Sequence, residues 1–362
     1  MKIKDINLYH LSVPLKKPFK TALRTVESAE ETIVEITTEE GVTGLGEAPP
    51  TAVITGDTNQ SIRGIIEKKI RPVLIGQKVD SLERMIELVN LAAIGNNSAK
   101  AAVDMAVYDL FGKLYNLPLF RLLGGYRNKI TSDLTISVNQ PAEMSSDARE
   151  AVEQGYKTLK LKVGKTMKKD LARVKSIREA VGPEISIRLD ANQGWQAKEA
   201  VYAIKRMEEE GLNIELVEQP VKASDYKGLK YVTDNVLTPV MADESLFSPK
   251  DCLKLLEMRA CDLVNIKLMK SGGIYNALKI NAIAESYGIE CMLGSMLEAK
   301  VSVTAASHLA AAKKNITRLD LDAPSLLAED PVQGGIEISG PGIKLPEKPG
   351  LGIDKVDNLK RL

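Results

Sequence analysis

Apolar and polar residues alternate from Thr158 to Gly164, Thr-Leu-Lys-Leu-Lys-Val-Gly, and a period of two predicts a strand. Leu159, Leu161 and Val163 share one face of it; Lys160 and Lys162 share the other. Similar runs follow, each with a charged residue near its C-terminal end. Ser186–Asp190 ends on Asp190, Ile214–Glu218 on Glu218, Pro239–Asp243 on Asp243 and Leu263–Lys267 on Lys267. From Lys162 the successive steps are 28, 28, 25 and 24 residues, the length of one strand-plus-helix unit.

Asp133–Val138, Glu290–Gly294 and Ile316–Asp320 bring the predicted strands to eight. Helical spacing fills the gaps at Pro141–Gln154, Lys169–Val181, Ala197–Glu210, Pro249–Met258 and Ile274–Tyr287. Strand and helix in alternation fit a parallel barrel or a doubly wound sheet. The barrel is preferred because the charged residues all fall at one end of the strands, where barrels build their sites. Upstream, residues 1 to 50 read as a small antiparallel sheet, with Pro14–Thr25 a basic, proline-broken loop and Pro49–Thr58 a second one. Both are candidate lids. Thr58–Leu123 turns helical, and Leu123-Gly-Gly-Tyr126 reads as a hinge. The expected organisation is an N-terminal α+β domain over 1–125, a barrel over 126–321 and a C-terminal segment over 322–362. That last segment holds a hairpin-like Gly335–Leu345 and is expected to return to the first domain.

Composition narrows the partners. The 49 basic and 48 acidic residues nearly cancel, so no net field recruits nucleic acid or an anionic membrane. No apolar run approaches the roughly 20 residues of a bilayer span, and Met1-Lys-Ile-Lys-Asp lacks a hydrophobic signal core. Cys252, Cys261 and Cys291 are odd in number and not closely paired, which fits free thiols in a reducing cytoplasm. With only His10 and His308 present, any metal would be held by oxygen. Ser271-Gly-Gly-Ile274 lacks the Gly-Lys-Ser/Thr of a phosphate loop and reads as a glycine turn opening a helix.

Asp190, Glu218 and Asp243 on adjacent strands cannot share one cavity unpaired, because repulsion and desolvation would force a proton onto at least one. A divalent cation resolves this, and an all-oxygen set favours Mg²⁺ with Mn²⁺ as substitute. The alternative for any single acid is a helix cap or a local ion pair. Lys162 and Lys267, on well-separated strands, would face a metal-bound substrate from opposite sides. One amine can remove a proton from a carbon between them, and the other can return it to the opposite face. A neutral lysine is needed for the first step, and the charges of the cation and Lys160 would lower its pKa.

Lys160-Leu-Lys162, Asp190-Ala-Asn192, Glu218-Gln-Pro220, Asp243-Glu-Ser245 and Lys267 together resemble the signature of the enolase superfamily, muconate-lactonising-enzyme subgroup. The resemblance spans essentially the whole chain. It implies a modified (β/α)7β TIM-type barrel with an α+β N-terminal capping domain, and one Mg²⁺ per subunit on Asp190, Glu218 and Asp243. It also implies abstraction of a proton α to a carboxylate, with Lys160 assisting the enolate.

Fold and metal do not settle the reaction in that subgroup, which lactonises, dehydrates and racemises. Arg318-Leu-Asp320-Leu-Asp322 puts two acids on one face at the barrel mouth, where they would bind an ammonium group. This Asp-x-Asp resembles the ammonium clamp of the dipeptide epimerases; the alternative is an acid pair satisfied by Arg318. The resemblance further assigns Ser295, Met296 and Leu297 to substrate backbone contact and Thr135 to a small polar contact. Arg24 resembles the residue that pairs with a substrate glutamate in L-Ala-D/L-Glu epimerases. Phe19, Ile54 and Leu297 would instead line a pocket for apolar dipeptides, and Glu298 would favour a cationic side chain. The expected function is thus an isomerase, a dipeptide epimerase inverting the C-terminal residue, acting as a homo-oligomer. The competing readings are an N-acylamino acid racemase or o-succinylbenzoate synthase and, in another class, a non-catalytic metal-binding protein on the same fold.

Overall fold

The computed structural model describes residues 1–21, 24–164 and 166–362. Eight parallel strands follow one another in sequence order around a nearly closed barrel: Leu134–Ile136, Thr158–Lys162, Ser186–Asp190, Ile214–Glu218, Val240–Ala242, Leu263–Lys267, Cys291–Gly294 and Ile316–Asp320. Their outward apolar faces are covered by the intervening helices, so these strands are almost wholly buried on both sides. The barrel reading therefore prevails over the open sheet. First and eighth strands meet through Asp133 N–H donating to Leu319 O at 3.4 Å, and Leu321 N–H donating to Ser132 Oγ at 2.8 Å closes the seam further.

Inward-facing residues stack in layers. The floor is an apolar cluster of Leu216, Met241, Leu263 and Met292. Beside it Arg188 is buried, with Asp133 and Glu215 each at 2.9 Å. Further along the strands the layer becomes charged, two residues on at Asp190, Glu218 and Asp243 and four residues on at Lys267. Lys162 pairs in register with Asp190, and Asp190 with Glu218; on the opposite wall Lys267 pairs with Gly294, and Gly294 with Asp320. Register aligns the charged ends within each wall. Between the walls Glu218 pairs with Met241 and Met241 with Leu263, so Lys267 stands four residues further along its strand, the stagger of a tilted barrel.

The N-terminal sheet joins Ile3–Lys20, Thr25–Thr38 and Thr43–Ala48 antiparallel, with Lys360–Arg361 added on the edge of the first strand. Here the sequence expectation needs correction: most of Pro14–Thr25 is a continuation of the hairpin, not a loop. After a register shift, Phe19 pairs with Val26 and Lys20 with Thr25. Lys360–Arg361 reaches only Tyr9 and His10, and beyond it the edge carries a single bridge, Leu15 to Leu327, with Pro14 O accepting from Ala328 N–H at 2.8 Å. Pro14 and Pro18 thus lie on an edge without a ladder, where a missing N–H costs little. Ala22 and Leu23 fall outside the described residues. The hairpin end rests on the first barrel loop, with Val138 N–H donating to Lys20 O at 3.1 Å and Lys20 Nζ to Asn139 Oδ1 at 2.9 Å.

The alanine-rich helix Asn97–Leu114 joins sheet to barrel. A Cβ at Gly46 would come within 1.8 Å of Ala102 O, and one at Gly44 within 2.2 Å of Ala106 O, so the third strand lies directly on the helix backbone. Asp104 of this helix accepts from Ile274 N–H at 2.6 Å, and Glu47 accepts from Ser302 N–H at 2.9 Å. Each caps the start of a barrel helix, Ile274–Ser286 and Lys300–Ala312. Near the C-terminus, the hairpin Glu337–Ser339/Gly342–Lys344 pairs with Lys129–Thr131, and it is Lys360–Arg361 that reaches the N-terminal sheet. Among the described residues no helix is long and apolar enough to cross a membrane.

Candidate active site

Lys160 Nζ lies at the centre of the charged layer, 2.7 Å from Glu218, 2.7 Å from Asp320 and 3.1 Å from Asp190. Lys162 Nζ reaches Asp190 Oδ2 at 2.6 Å, and across the barrel Lys267 Nζ reaches Asp243 Oδ2 at 2.8 Å. All of these side chains are buried. Charge is balanced by alternation of acids and amines, as a low-dielectric interior requires.

That alternation sets the protonation. Burial works against the charge of Lys160, but Asp320, Glu218 and Asp190 more than offset it and push its pKa up. Lys267 goes the same way, with Asp243 as its main support. The sequence expectation of a lowered lysine pKa counted a cation's charge; the protein's own groups push in the other direction. Burial would raise Asp190 and Asp243, yet Lys162 and Lys160 hold the first, and Lys267 and Lys270 the second, far below the ordinary carboxylate range. Glu218 is the exception, pushed up to about 8 by burial and by Asp190, with Asp243 adding to the repulsion.

Among the described residues no three acid, histidine or cysteine side chains already converge as a cation cage. Asp190, Glu218 and Asp243 are turned to the lysines. Their donor chemistry nevertheless fits a hard divalent cation: three fully buried carboxylates from three neighbouring strands, mutually repelling, with no sulfur or imidazole among them. Glu218 Oε2 lies 2.7 Å from Lys160 Nζ but accepts no hydrogen bond of good geometry, leaving a buried oxygen with unused capacity.

Above the acids, one cavity is lined by Lys162 and Lys267 together with Thr135, Asp320 and Asp322, and by Ser295, Met296 and Leu297. Arg24, Phe19 and Ile54 come in from the N-terminal domain, and Thr21, Val53, Asn192, Ala323 and Leu326 complete the wall. Phe19, Thr135 and Leu326 also border a groove of about 340 Å³ between the hairpin and the helix Pro141–Glu153. The structure thus brings the sequence-predicted lysines, aspartates, Thr135, Ser295–Leu297 and Arg24 to one cavity, with Lys160 and the three metal-ligand candidates beneath it.

Asp320 and Asp322 are not paired with Arg318, whose guanidinium turns to Glu215 at 2.8 Å and Glu290 at 2.5 Å. Asp322 Oδ2 accepts from Thr135 N–H at 2.6 Å, and Thr135 Oγ1 donates to Asp320 Oδ1 at 3.4 Å. Burial and Asp320 push Asp322 up to about 6. Glu298 departs from expectation: it does not line the cavity, and instead accepts from Met296 N–H at 2.6 Å and from Ser302 Oγ. The acid that would favour a cationic side chain is spent on holding its own loop.

Sequence reasoning missed two residues behind the acids. Asn265 Nδ2 donates to Glu218 Oε1 at 2.7 Å, and Lys270 Nζ lies 2.5 Å from Asp243 Oδ1. Asn265 was findable, since it stands two residues before Lys267 on the same strand face. Lys270 follows the strand in a short helix, Leu268–Ser271, where no strand period applies.

Two family models match the chain: the mandelate racemase / muconate lactonizing enzyme N-terminal domain over residues 4–124, and the enolase C-terminal domain-like model over 143–358. A protein of Clostridium acetobutylicum named L-Ala-D/L-Glu epimerase is 58% identical over 358 residues, covering 99% of this chain and 100% of its own. A substrate-liganded complex of the L-Ala-D/L-Glu epimerase from Bacillus subtilis superposes with a TM-score of 0.98 at 53% identity, over 98% of this chain and 99% of that one. The dipeptide epimerase of Enterococcus faecalis, complexed with Mg and the dipeptide L-Leu-L-Tyr, gives 0.95 at 48% identity, over 98% and 100%.

Proposed function

This chain belongs to the mandelate racemase / muconate lactonizing enzyme family of the enolase superfamily, and from that premise we propose that it is a Mg²⁺-dependent dipeptide epimerase, with L-Ala-D/L-Glu as its reaction. The observation that carries the reading is that Lys162 and Lys267 line one cavity from opposite walls of the barrel, with the buried Asp320/Asp322 pair in the same wall.

Asp190, Glu218 and Asp243 would hold the cation, which supplies positive charge toward a substrate carboxylate and the enolate formed from it. Lys162 and Lys267 stand on either side of the α-carbon. One, as amine, takes the α-proton; the other, as ammonium, returns a proton to the opposite face, and the next turnover in reverse restores the pair. Lys160, held as ammonium by its three acids, offers charge to the enolate without exchanging protons. Asp320 and Asp322 take the substrate ammonium, which an acylated amino acid lacks, and this sets the reading apart from the N-acylamino acid racemases. Main-chain groups of Ser295–Leu297 and the hydroxyl of Thr135 fix the peptide, and Arg24 faces the acidic side chain.

A second reading is kept for substrate scope. Phe19, Val53, Ile54, Met296 and Leu326 give the cavity an apolar wall that suits a hydrophobic dipeptide. Mass-spectrometric screening of a dipeptide library for Mg²⁺-dependent α-deuterium incorporation tests both. Brisk exchange in Ala-Glu supports the first reading; fast exchange confined to apolar dipeptides replaces it with the second; exchange in none returns the chain to the non-catalytic reading. The proposal extends to a homo-oligomer in the cytoplasm. Exposed Leu91, Ile94 and Leu237 suit subunit contact, and three free buried thiols suit a reducing compartment. Light scattering on the purified protein checks the first of these.

A further inference from the structure

Lys270 is fully buried and stands outside the cavity wall, so it does not touch a substrate. Its ammonium spends all three protons: on Asp243 Oδ1 at 2.5 Å, on Asp243 O, and on Asn265 O at 3.0 Å. The ring of Phe247 lies 5.9 Å away on another side. Asp243 is therefore held by two lysines, one on each oxygen: Lys270 on Oδ1 and Lys267 on Oδ2. Asp190 differs. Its Oδ2 is shared by Lys162 and Lys160, while its Oδ1 accepts a main-chain N–H, that of Asn192, at 2.9 Å. The two halves of the site are thus built differently, and Lys270 belongs to one half alone.

A buried ammonium costs several kcal/mol of desolvation unless it is fully paired, and an apolar side chain would fill the same space at less cost. Among the described residues no lysine takes Asp190 Oδ1 as Lys270 takes Asp243 Oδ1; its partner is the Asn192 N–H. We propose that Lys270 is a positioning residue for proton transfer on the Lys267 side: by occupying Asp243 Oδ1 it fixes the rotation of the carboxylate and presents Oδ2 to the Lys267 amine. The same contact orients Asp243 as a candidate cation ligand, in the way outer hydrogen bonds orient metal-bound carboxylates generally.

The role rests on the dipeptide-epimerase reading, so the test has one arm that does not depend on it. In that arm, calorimetry with MgCl₂ alone compares the whole wild-type protein with Lys270→Met and Lys270→Arg; the expected loss of Mg²⁺ affinity in Lys270→Met is about 10- to 100-fold, largely recovered in Lys270→Arg. In the other arm, α-deuterium incorporation is timed separately from the L,L and L,D forms of the dipeptide. Lys267→Met identifies which form Lys267 serves. Lys270→Met is expected to slow that form by about 10-fold or more relative to the other, with KM little changed, since an effect on positioning appears in kcat. Equal slowing of both forms with unaltered Mg²⁺ affinity would show Lys270 to be a structural plug and overturn the proposal. If Lys270→Met does not fold, Lys270→Gln replaces it in both measurements, and the same outcomes support or overturn the role. A wild-type protein that exchanges no dipeptide would sink the activity reading, and the calorimetric arm would still decide whether Lys270 orients Asp243.

Discussion

Lys160 Nζ stands 2.7 Å from Asp320 Oδ2 while also touching Glu218 and Asp190, so one buried ammonium joins the candidate cation ligands to the candidate ammonium clamp. Replacing Asp320 with Asn keeps the shape and removes one negative charge from Lys160 and from the clamp, leaving Glu218 and Asp190 in place. Hydrogen bonds to charged groups are worth about 1.5–3 kcal/mol, so kcat/KM for free dipeptides should fall roughly 10- to 100-fold in Asp320→Asn. Steady-state kinetics beside an N-acetylated dipeptide makes the comparison. An undiminished rate on the free dipeptide would remove the clamp from the mechanism.

Lys162 and Lys267 should be separable. Each has its own carboxylate, Asp190 and Asp243, and each lies on a different wall. Lys162→Met and Lys267→Met should each lower epimerisation at least about 100-fold, the usual worth of a general acid–base group. Each should nevertheless keep α-deuterium exchange in one epimer of the substrate, L,L or L,D, and the two variants should retain different epimers. Loss of exchange in both forms from a single substitution would argue for one-base chemistry.

Gly294 stands in register between Lys267 and Asp320 on neighbouring strands. A Cβ there would come 3.1 Å from Lys267 Cε and 2.9 Å from Asn265 Oδ1. The glycine is needed for the passage of the lysine stem rather than for backbone freedom. Gly294→Ala should therefore shift the Asn265 amide and the lysine stem by a few tenths of an ångström, and since about 1 Å of misplacement can cost about 100-fold, kcat should fall by roughly 3- to 10-fold. Thermal melting and kinetics together check this: a fall in kcat is expected with Tm little changed, and an unaltered kcat would show that the lysine stem does not need the space.

Arg24 makes no ion pair among the described residues and lines the cavity rim. Removing it should lower kcat/KM for Ala-Glu by about 10-fold or more, the value of a charge-assisted contact, and leave apolar dipeptides almost unaffected. Parallel kinetics of Arg24→Leu on both substrate types gives the answer. Equal losses would show that Arg24 shapes the rim instead of reading the side chain.

The barrel was legible because its signal is repeated: the two-residue period and the spacing of 24 to 28 residues recur along the chain, and register then places Lys162, Asp190 and Glu218 at one level. Pro14 and Pro18 misled because a proline breaks an inner strand but not an edge strand, where its carbonyl still accepts, as Pro14 O does from Ala328 N–H. Glu298 misled for a different reason. Its direction is set by Met296 N–H and Ser302 within its own turn, and no periodicity records such a bond. Arg318, two residues from Asp320, is the alternative partner that the sequence offers, and it turns instead to Glu215 and Glu290. The partner is Lys160, on the second strand, which only a closed barrel brings next to the eighth.

His308 offers a test of the fold that is independent of the chemistry. It sits in the helix Lys300–Ala312, fully buried, and its Nδ1 accepts from Phe120 N–H at 2.9 Å at the start of the short helix Leu119–Leu123. The hydrogen must then be on Nε2, which lies 3.4 Å from Leu351 O. Protonation would set an N–H against the N–H of Phe120, and burial pushes the imidazole down to about 4 from its ordinary 6.5. Above pH 6.5 the ring is neutral folded and unfolded, and its contribution is fully present. Between 6.5 and 4 the unfolded chain takes up the proton and the folded one does not, so stability falls with falling pH, by about 3 kcal/mol for this residue over pH 7 to 4. Urea unfolding across that range should be steeper in pH for the wild type than for His308→Gln, which can keep the acceptor without the titration. Parallel pH curves would mean that the ring is already charged in the folded protein, against the hydrogen bond that Phe120 makes to it.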